Sequence, residues 1–180
     1  MNDDNLLRNY DNIQKIKNGG TIKISIKGLT KILGCSPQNR MVCGKLSKNA
    51  CCIHHSKEHH TRFHPDEVHS LPDNIKQLLN PDGTLKVIPE SGHCVLIENC
   101  ILHPDQKPSS CALAPLGFNS AGRLIIKRMA WTKPCPFYGK GDPIYISMKD
   151  CLIAVFGETA YNNICKMIES GIEEYSQEQE

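Results

Sequence analysis

The chain predicts an α+β fold: a small, irregular, loop-rich domain centred on bound metal, with short strands and flanking helices. Three observations predict it. Ten of the 180 residues are cysteine, and eight of those fall between Cys35 and Cys135, in polar stretches rich in glycine and proline. Apolar periodicity is present only in short runs, some at the helical three-to-four spacing and some at the strand spacing of two. The apolar fraction of 39% counts the ten cysteines, so the conventional core is thinner than that figure.

At 180 residues the chain is long enough to bury a core without covalent staples. Small size therefore does not explain the cysteines, as it does in secreted miniproteins. The organisation reads as one compact domain in three stretches. Residues 1–34 form an N-terminal helix and strand, 35–145 a cysteine-cluster metal-binding region, and 146–180 a helical C-terminal segment.

The elements follow in order. Leu6, Leu7, Tyr10, Ile13 and Ile16 recur at helical steps, and Gly19-Gly20 stops the helix. Thr21 to Lys27 alternates apolar and polar, as a half-buried strand does. Gly34 to Cys52 is a polar cysteine loop with little periodicity. A histidine-rich stretch follows, holding His54, His55, His59, His60, His64 and His69. Pro65-Asp66-Glu67-Val68 opens a helix, with proline in the first turn and acids near its positive end. Pro72-Asp73 opens another, running to about Leu79, and Pro81-Asp82-Gly83 is a turn.

Short strands are expected at Leu85 to Ile88, His93 to Ile97 and Arg123 to Met129. Pro104 and Pro108 keep the second cysteine segment, Cys94 to Cys111, from long regular structure. Gly117 to Gly122 reads as a turn. Beyond Cys135 the chain turns helical, with Ser147 as a cap and Asp150 three residues on. From Glu158 to about Tyr175, the residues Tyr161, Ile164, Cys165, Ile168 and Ile172 mark one helical face, and the tail after it is polar.

The charge of +2 at pH 7 argues neither for nor against nucleic acid, which no other feature indicates. The longest strongly apolar run, Leu152 to Phe156, is far short of the ~20 residues a membrane span needs. Met1-Asn2-Asp3-Asp4-Asn5 is too acidic and polar for a secretory signal. The expected compartment is the cytoplasm, where thiols stay reduced and a cysteine pattern reads as metal rather than disulfide.

The candidate metal ligands are Cys35, Cys43, Cys51, Cys52, Cys94, Cys100, Cys111 and Cys135, spaced C-x7-C-x7-C-C, then C-x5-C-x10-C, then C-x23-C. This is neither a zinc ribbon nor the bacterial ferredoxin run. Its strength lies in the count and in the neighbours. Gly34 precedes Cys35, Gly44 follows Cys43 and Pro136 follows Cys135, so the backbone is freed or fixed for amides to point at sulfur. Cys51 and Cys52 are adjacent and their side chains diverge, so either one is a ligand and one is core, or they serve two metal positions. Cys151 and Cys165 sit on apolar helical faces and read as core thiols.

His54, His55, His59 and His60 suggest a second metal site, with His55 and His59 one turn apart. A solvated polar loop is the preferred reading of that stretch. No nucleophile elbow, P-loop or His-Glu-x-x-His is present, so enzyme activity is left open.

The chain resembles the YkgJ-type cysteine-cluster family, described as a zinc- or iron-chelating domain. The resemblance rests on Cys51-Cys52, then His64-Pro65-Asp66-Glu67, then Cys94, Cys100-Ile101-Leu102-His103 and Lys107-Pro108-Ser109-Ser110-Cys111, with Pro115 and Phe118 after it. Cys135-Pro136-Phe137-Tyr138-Gly139-Lys140-Gly141 closes the pattern, which covers about residues 35–145. Lys107 and Ala112 stand where members carry arginine, His103 stands where they carry tyrosine, and the first cysteines are spread wider. The resemblance implies metal or iron–sulfur binding, and flagellin lysine N-methylases carry a related segment.

Zinc sites usually draw ligands in close pairs, whereas here, apart from Cys51 and Cys52, the closest pair is Cys94 and Cys100. Scattered ligands and the Cys135-Pro136 loop favour an iron–sulfur cluster of the 4Fe–4S type, with zinc as the alternative. The expected function is an electron-transfer or accessory module working with a protein partner. The alternatives are a zinc-stabilised interaction module and a cluster-dependent enzyme related to protein lysine methylation.

Overall fold

A computed structural model describes residues 4–34, 62–90, 93–96, 108–127 and 137–176. The fold is α+β, with helices packed around small antiparallel strand pairs. Its apolar residues gather into a main core and a satellite core.

Helix α1 spans Asp4–Lys17 and buries Ile13 and Ile16 in the main core. Asn9 is buried on the same helix because its Oδ1 accepts the Phe118 amide at 3.1 Å. Strand β1 (Ile22–Lys23) pairs antiparallel with the C-terminal strand β8 (Glu174–Tyr175), with Ile22 opposite Tyr175. The expected strand does not reach Lys27. Ile24 makes one last bridge, to Leu124, and then Ser25 Oγ accepts the Gly28 amide at 3.3 Å and caps helix α2 (Ile26–Leu29). A serine at that position offers the backbone a cap that the alternating pattern does not reveal.

The satellite core is Phe63, Leu71, Ile75, Leu85 and Leu96, covered by helices α3 (Pro65–His69) and α4 (Asp73–Lys76). Beneath them runs the hairpin β3 (Val87–Ile88) with β4 (His93–Cys94), in which Val87 faces Cys94. The expected strands there are shorter than read. Leu85 makes only a bridge to Leu79, and Val95–Leu96 already turns. Gly83, with φ of 80°, closes the turn before them, where Asp82 Oδ1 accepts both the amide and the hydroxyl of Thr84, at 3.0 and 2.6 Å.

Helix α5 (Ser109–Leu113) leads into strand β5 (Leu116–Phe118), which forms a hairpin with β6 (Leu124–Ile126). The turn read at Gly117 to Gly122 is narrower than expected. Gly117 lies in the strand opposite Ile125, and Asn119 Oδ1 organises the reversal by accepting the Ala121 and Arg123 amides, both at 3.0 Å.

Strand β2 (Ile32–Leu33) pairs with β7 (Tyr138–Pro143) across a register shift. Residues 138–141, within the stretch expected to turn helical beyond Cys135, are instead the start of an irregular strand. Gly139 and Gly141, at φ of 72° and 81°, permit that irregularity.

Helices α6 (Ile144–Ser147), α7 (Lys149–Phe156) and α8 (Glu158–Ser170) complete the main core. Ser147 does not cap α7 as expected. It is the last residue of α6, and its hydroxyl donates to the Leu33 carbonyl at 2.8 Å, pinning α6 to β2. Helix α8 ends at Gly171, a left-handed residue, so Ile172 and Tyr175 leave the helical face and Tyr175 joins β8. No helix among the described residues is long and apolar enough to cross a membrane.

Candidate metal centre

Two of the eight candidate ligands, Cys94 and Cys111, lie among the described residues, and both carry thiols. Cys35, Cys43, Cys51, Cys52, Cys100 and Cys135 lie outside them, as do His54, His55, His59 and His60.

Cys94 ends β4, half-buried against the satellite core. The chain turns immediately after it, which brings the Leu96 amide to 3.4 Å from Cys94 Sγ. An N–H donated to sulfur stabilises the thiolate over the thiol, because it favours the charged form.

Cys111 is the middle residue of α5, and it too is half-buried. Pro108 presets the helix start, and its carbonyl accepts the Cys111 amide at 2.8 Å and the Ala112 amide at 2.9 Å. The following residues, Ala112 and Leu113, enter the main core and anchor the short helix that carries the thiol.

Glu67 joins the two regions. Its Oε2 accepts the His64 amide at 2.7 Å, and His64 Nδ1 accepts the Asp66 amide at 3.2 Å, a reciprocal cap on α3. Its Oε1 accepts the Ser109 amide at 3.0 Å and the Ser109 hydroxyl at closer range. One carboxylate thus caps α3 and grips the first residue of α5, two positions before Cys111. The His64 ring stacks on Tyr10 of α1 with centroids 3.8 Å apart, and Tyr10 Oη donates to Asp66 Oδ2 at 3.2 Å. His64 therefore serves the cap and the stack, with its Nδ1 committed to the backbone.

Lys127 follows β6 and folds back across the hairpin, its stem occupying the space where a side chain on Gly117 would stand. Burial pushes the Lys127 ammonium below its ordinary value, and the Cys111 thiolate pulls it back up. Burial is the larger of the two effects, and Lys127 lies close enough to sense charge on Cys111.

Two described segments that flank candidate ligands in the sequence also meet, at Gly34 and at residues 137–141. The Gly34 amide lies 3.3 Å from the Phe137 carbonyl and donates to the Lys140 carbonyl at 2.9 Å. A Cβ on Gly141 would stand 3.2 Å from Gly34 Cα, so this crossing is backbone against backbone. Gly34 directly precedes Cys35, and Phe137 follows Cys135 by two residues.

Cys151 is buried in the main core on α7. Cys165 packs against the same core on α8 and is hydrogen-bonded to Tyr161. Among the described residues, no group of three or more His, Cys, Asp and Glu side chains is placed to hold a metal.

Sequence reasoning missed Glu67, Ser109 and Lys127. Glu67 had a signal, because it stands three residues after the capping position at His64. Ser109 and Lys127 had none, since their roles depend on a hydrogen bond across 42 positions and on a hairpin crossing. No protein-family model, no curated protein and no solved structure matches this chain.

Proposed function

We propose that this chain is a metal-binding cysteine-cluster protein, centred on an iron–sulfur cluster of the 4Fe–4S type and serving a protein partner as an electron-transfer or accessory module in a reducing compartment. The observation that carries the reading is the Leu96 amide aimed at Cys94 Sγ at 3.4 Å. Amide-to-sulfur bonds are how proteins hold metal thiolates and tune them. Support comes from Lys127 beside Cys111, and from the backbone crossing of Gly34 with Phe137 and Lys140 next to Cys35 and Cys135.

The donor chemistry fits: thiolates suit iron–sulfur clusters and zinc alike. Cys94 and Cys111 would hold the group, with Cys35, Cys43, Cys51, Cys52, Cys100 and Cys135 supplying the remaining ligands. When bound, a cluster supplies one-electron transfer. Around such a group the Leu96 amide would donate to the Cys94 sulfur, Lys127 would lie near Cys111, and Glu67 would fix the start of α5 through Ser109.

Anaerobic purification followed by absorbance, iron, sulfide and zinc analysis tests the reading. The expected product is brown, with stoichiometric iron and sulfide. A colourless protein with stoichiometric zinc overturns the cluster and keeps the cysteine ligands; a metal-free protein overturns both. Cys111→Ser and Cys135→Ser should lose metal, and Cys165→Ser should keep it.

A further inference from the structure

We infer that Glu67 is a positioning residue for the metal centre: through Ser109 it fixes the thiol of Cys111 relative to the satellite layer that carries Cys94. The inference rests on the metal-binding reading above.

The geometry is one of complete use. Three donors converge on one carboxylate, and each oxygen has its own set. Oε2 takes the His64 amide at 2.7 Å, and Oε1 takes the Ser109 amide at 3.0 Å together with the Ser109 hydroxyl. The two donor sets belong to different parts of the molecule. His64 caps α3, whose Val68 packs on the same satellite core as Cys94. Ser109 begins α5, whose Ala112 and Leu113 are built into the main core.

The carboxylate is therefore a bracket between two layers, each with one candidate ligand. Cys111 sits two residues after Ser109, within one turn of a five-residue helix. Cys111 shares the opening turn of α5 with Ser109, its amide donating to the Pro108 carbonyl at 2.8 Å, so a shift of Ser109 displaces Cys111 with it. Groups hydrogen-bonded to a ligand itself typically set metal affinity by ~10–100-fold, and Glu67, acting on Cys111 through Ser109, is assigned that range.

No other side chain type does this work. A glutamine presents one carbonyl oxygen and one amide nitrogen. Whichever way it is turned, one donor set meets another donor. An aspartate is one methylene shorter and cannot cap α3 while reaching Ser109. The arrangement needs two acceptors on a side chain of this length.

The test uses the full chain, reduced and without metal, titrated anaerobically with Co²⁺ alone, against a competing chelator. Thiolate-to-cobalt charge-transfer absorption counts the sulfurs bound. The wild-type chain is expected to show that absorption at saturation. Glu67→Ala is expected to bind Co²⁺ ~10–100-fold more weakly and to lose intensity corresponding to one thiolate, with Glu67→Gln no better than partly restored. Ile75→Val, which trims the satellite core on a different helix, is expected to lower stability and leave both affinity and intensity unchanged. Combining Glu67→Ala with Ser109→Ala should add less than the sum of the two, since they share one interaction.

If the wild-type chain shows no charge-transfer absorption, the metal-binding reading fails and the positioning role with it. If it binds as expected and Glu67→Ala matches it in affinity and intensity, the positioning role alone is overturned. Equal losses for Glu67→Ala and Ile75→Val also overturn it, because the effect would then follow stability and not placement.

Discussion

The main core and the satellite core are held together by different physics. Twenty-two buried side chains form the main core among the described residues, drawn from both ends of the chain, and five form the satellite. In the first, apolar burial dominates, with Phe118 and Phe156 packed edge-to-face within it. In the second, a small apolar cluster is framed by caps and turns: His64 with Glu67 on α3, and Asp82 with Thr84 at the turn. A region with so few buried side chains has less to lose on opening, so it is the part whose order a metal at Cys94 would most strengthen.

The largest effect separates the two cores directly. Leu152 is fully buried on α7, and Leu152→Ala should lower the unfolding free energy by ~2–5 kcal/mol in urea titrations, with or without a chelator. Leu85→Ala removes a comparable side chain from the satellite. It should open that layer alone, so that the Lys86 and Val95 amides exchange faster while α8 keeps its protection. Chelator should widen that difference. Equal global losses from the two variants would mean that the cores unfold as one unit.

A second contrast is in pH. Burial, reinforced by the hydrogen bond to Cys165, raises the Tyr161 phenol above its ordinary value. The native state then binds more protons than the unfolded state above pH ~10, so stability falls as pH rises through that range. Tyr161→Phe should flatten this alkaline loss, measured by denaturant midpoints at rising pH. In the satellite the sign is opposite. Hydrogen bonds from Thr84 hold the Asp82 carboxyl below its ordinary value. The unfolded state binds more protons there, so the contribution is present above pH ~4 and lost as pH falls through the folded value. Asp82→Asn should remove the acid sensitivity of satellite amide exchange and leave the alkaline behaviour unchanged.

The same division shows in what the sequence made legible. Helices α1, α3 and α8 were readable because long apolar spacing or a proline start marks them. Strand β5 and the irregular strand β7 were not. Gly117 and Gly139 look like turn residues, and only pairing with Ile125 and with β2 makes them strand. Ser147 carries a capping signature, yet a tertiary bond to Leu33 claims its hydroxyl. At the candidate site, the cysteine count is legible in the sequence and is what motivates the metal proposal. The partners of that region were hidden, because Glu67 with Ser109 and Lys127 with Cys111 meet only after folding.

The smallest expected effect lies where the main core closes on its own C-terminus. Lys23 Nζ is 3.1 Å from Glu174 Oε1 on the β1–β8 pair, with the two side chains 36% and 56% exposed. Such a pair is worth ~0.2–1 kcal/mol and is screened by salt. Arg123 nearby is placed differently. Its Nη1 is 2.5 Å from Glu173 Oε2 and donates to the Ile24 carbonyl at 2.8 Å, while Glu173 Oε1 accepts the Ile26 amide at 3.1 Å. Arg123→Ala leaves the carbonyl of a fully buried residue short of a charged donor, a loss of ~1.5–3 kcal/mol. Thermal unfolding at low and high salt should rank Lys23→Ala well below Arg123→Ala, with only the first erased by salt. Equal, salt-sensitive losses would make the Arg123 contact a surface pair like the other, and the closure of the main core would then rest on apolar burial alone.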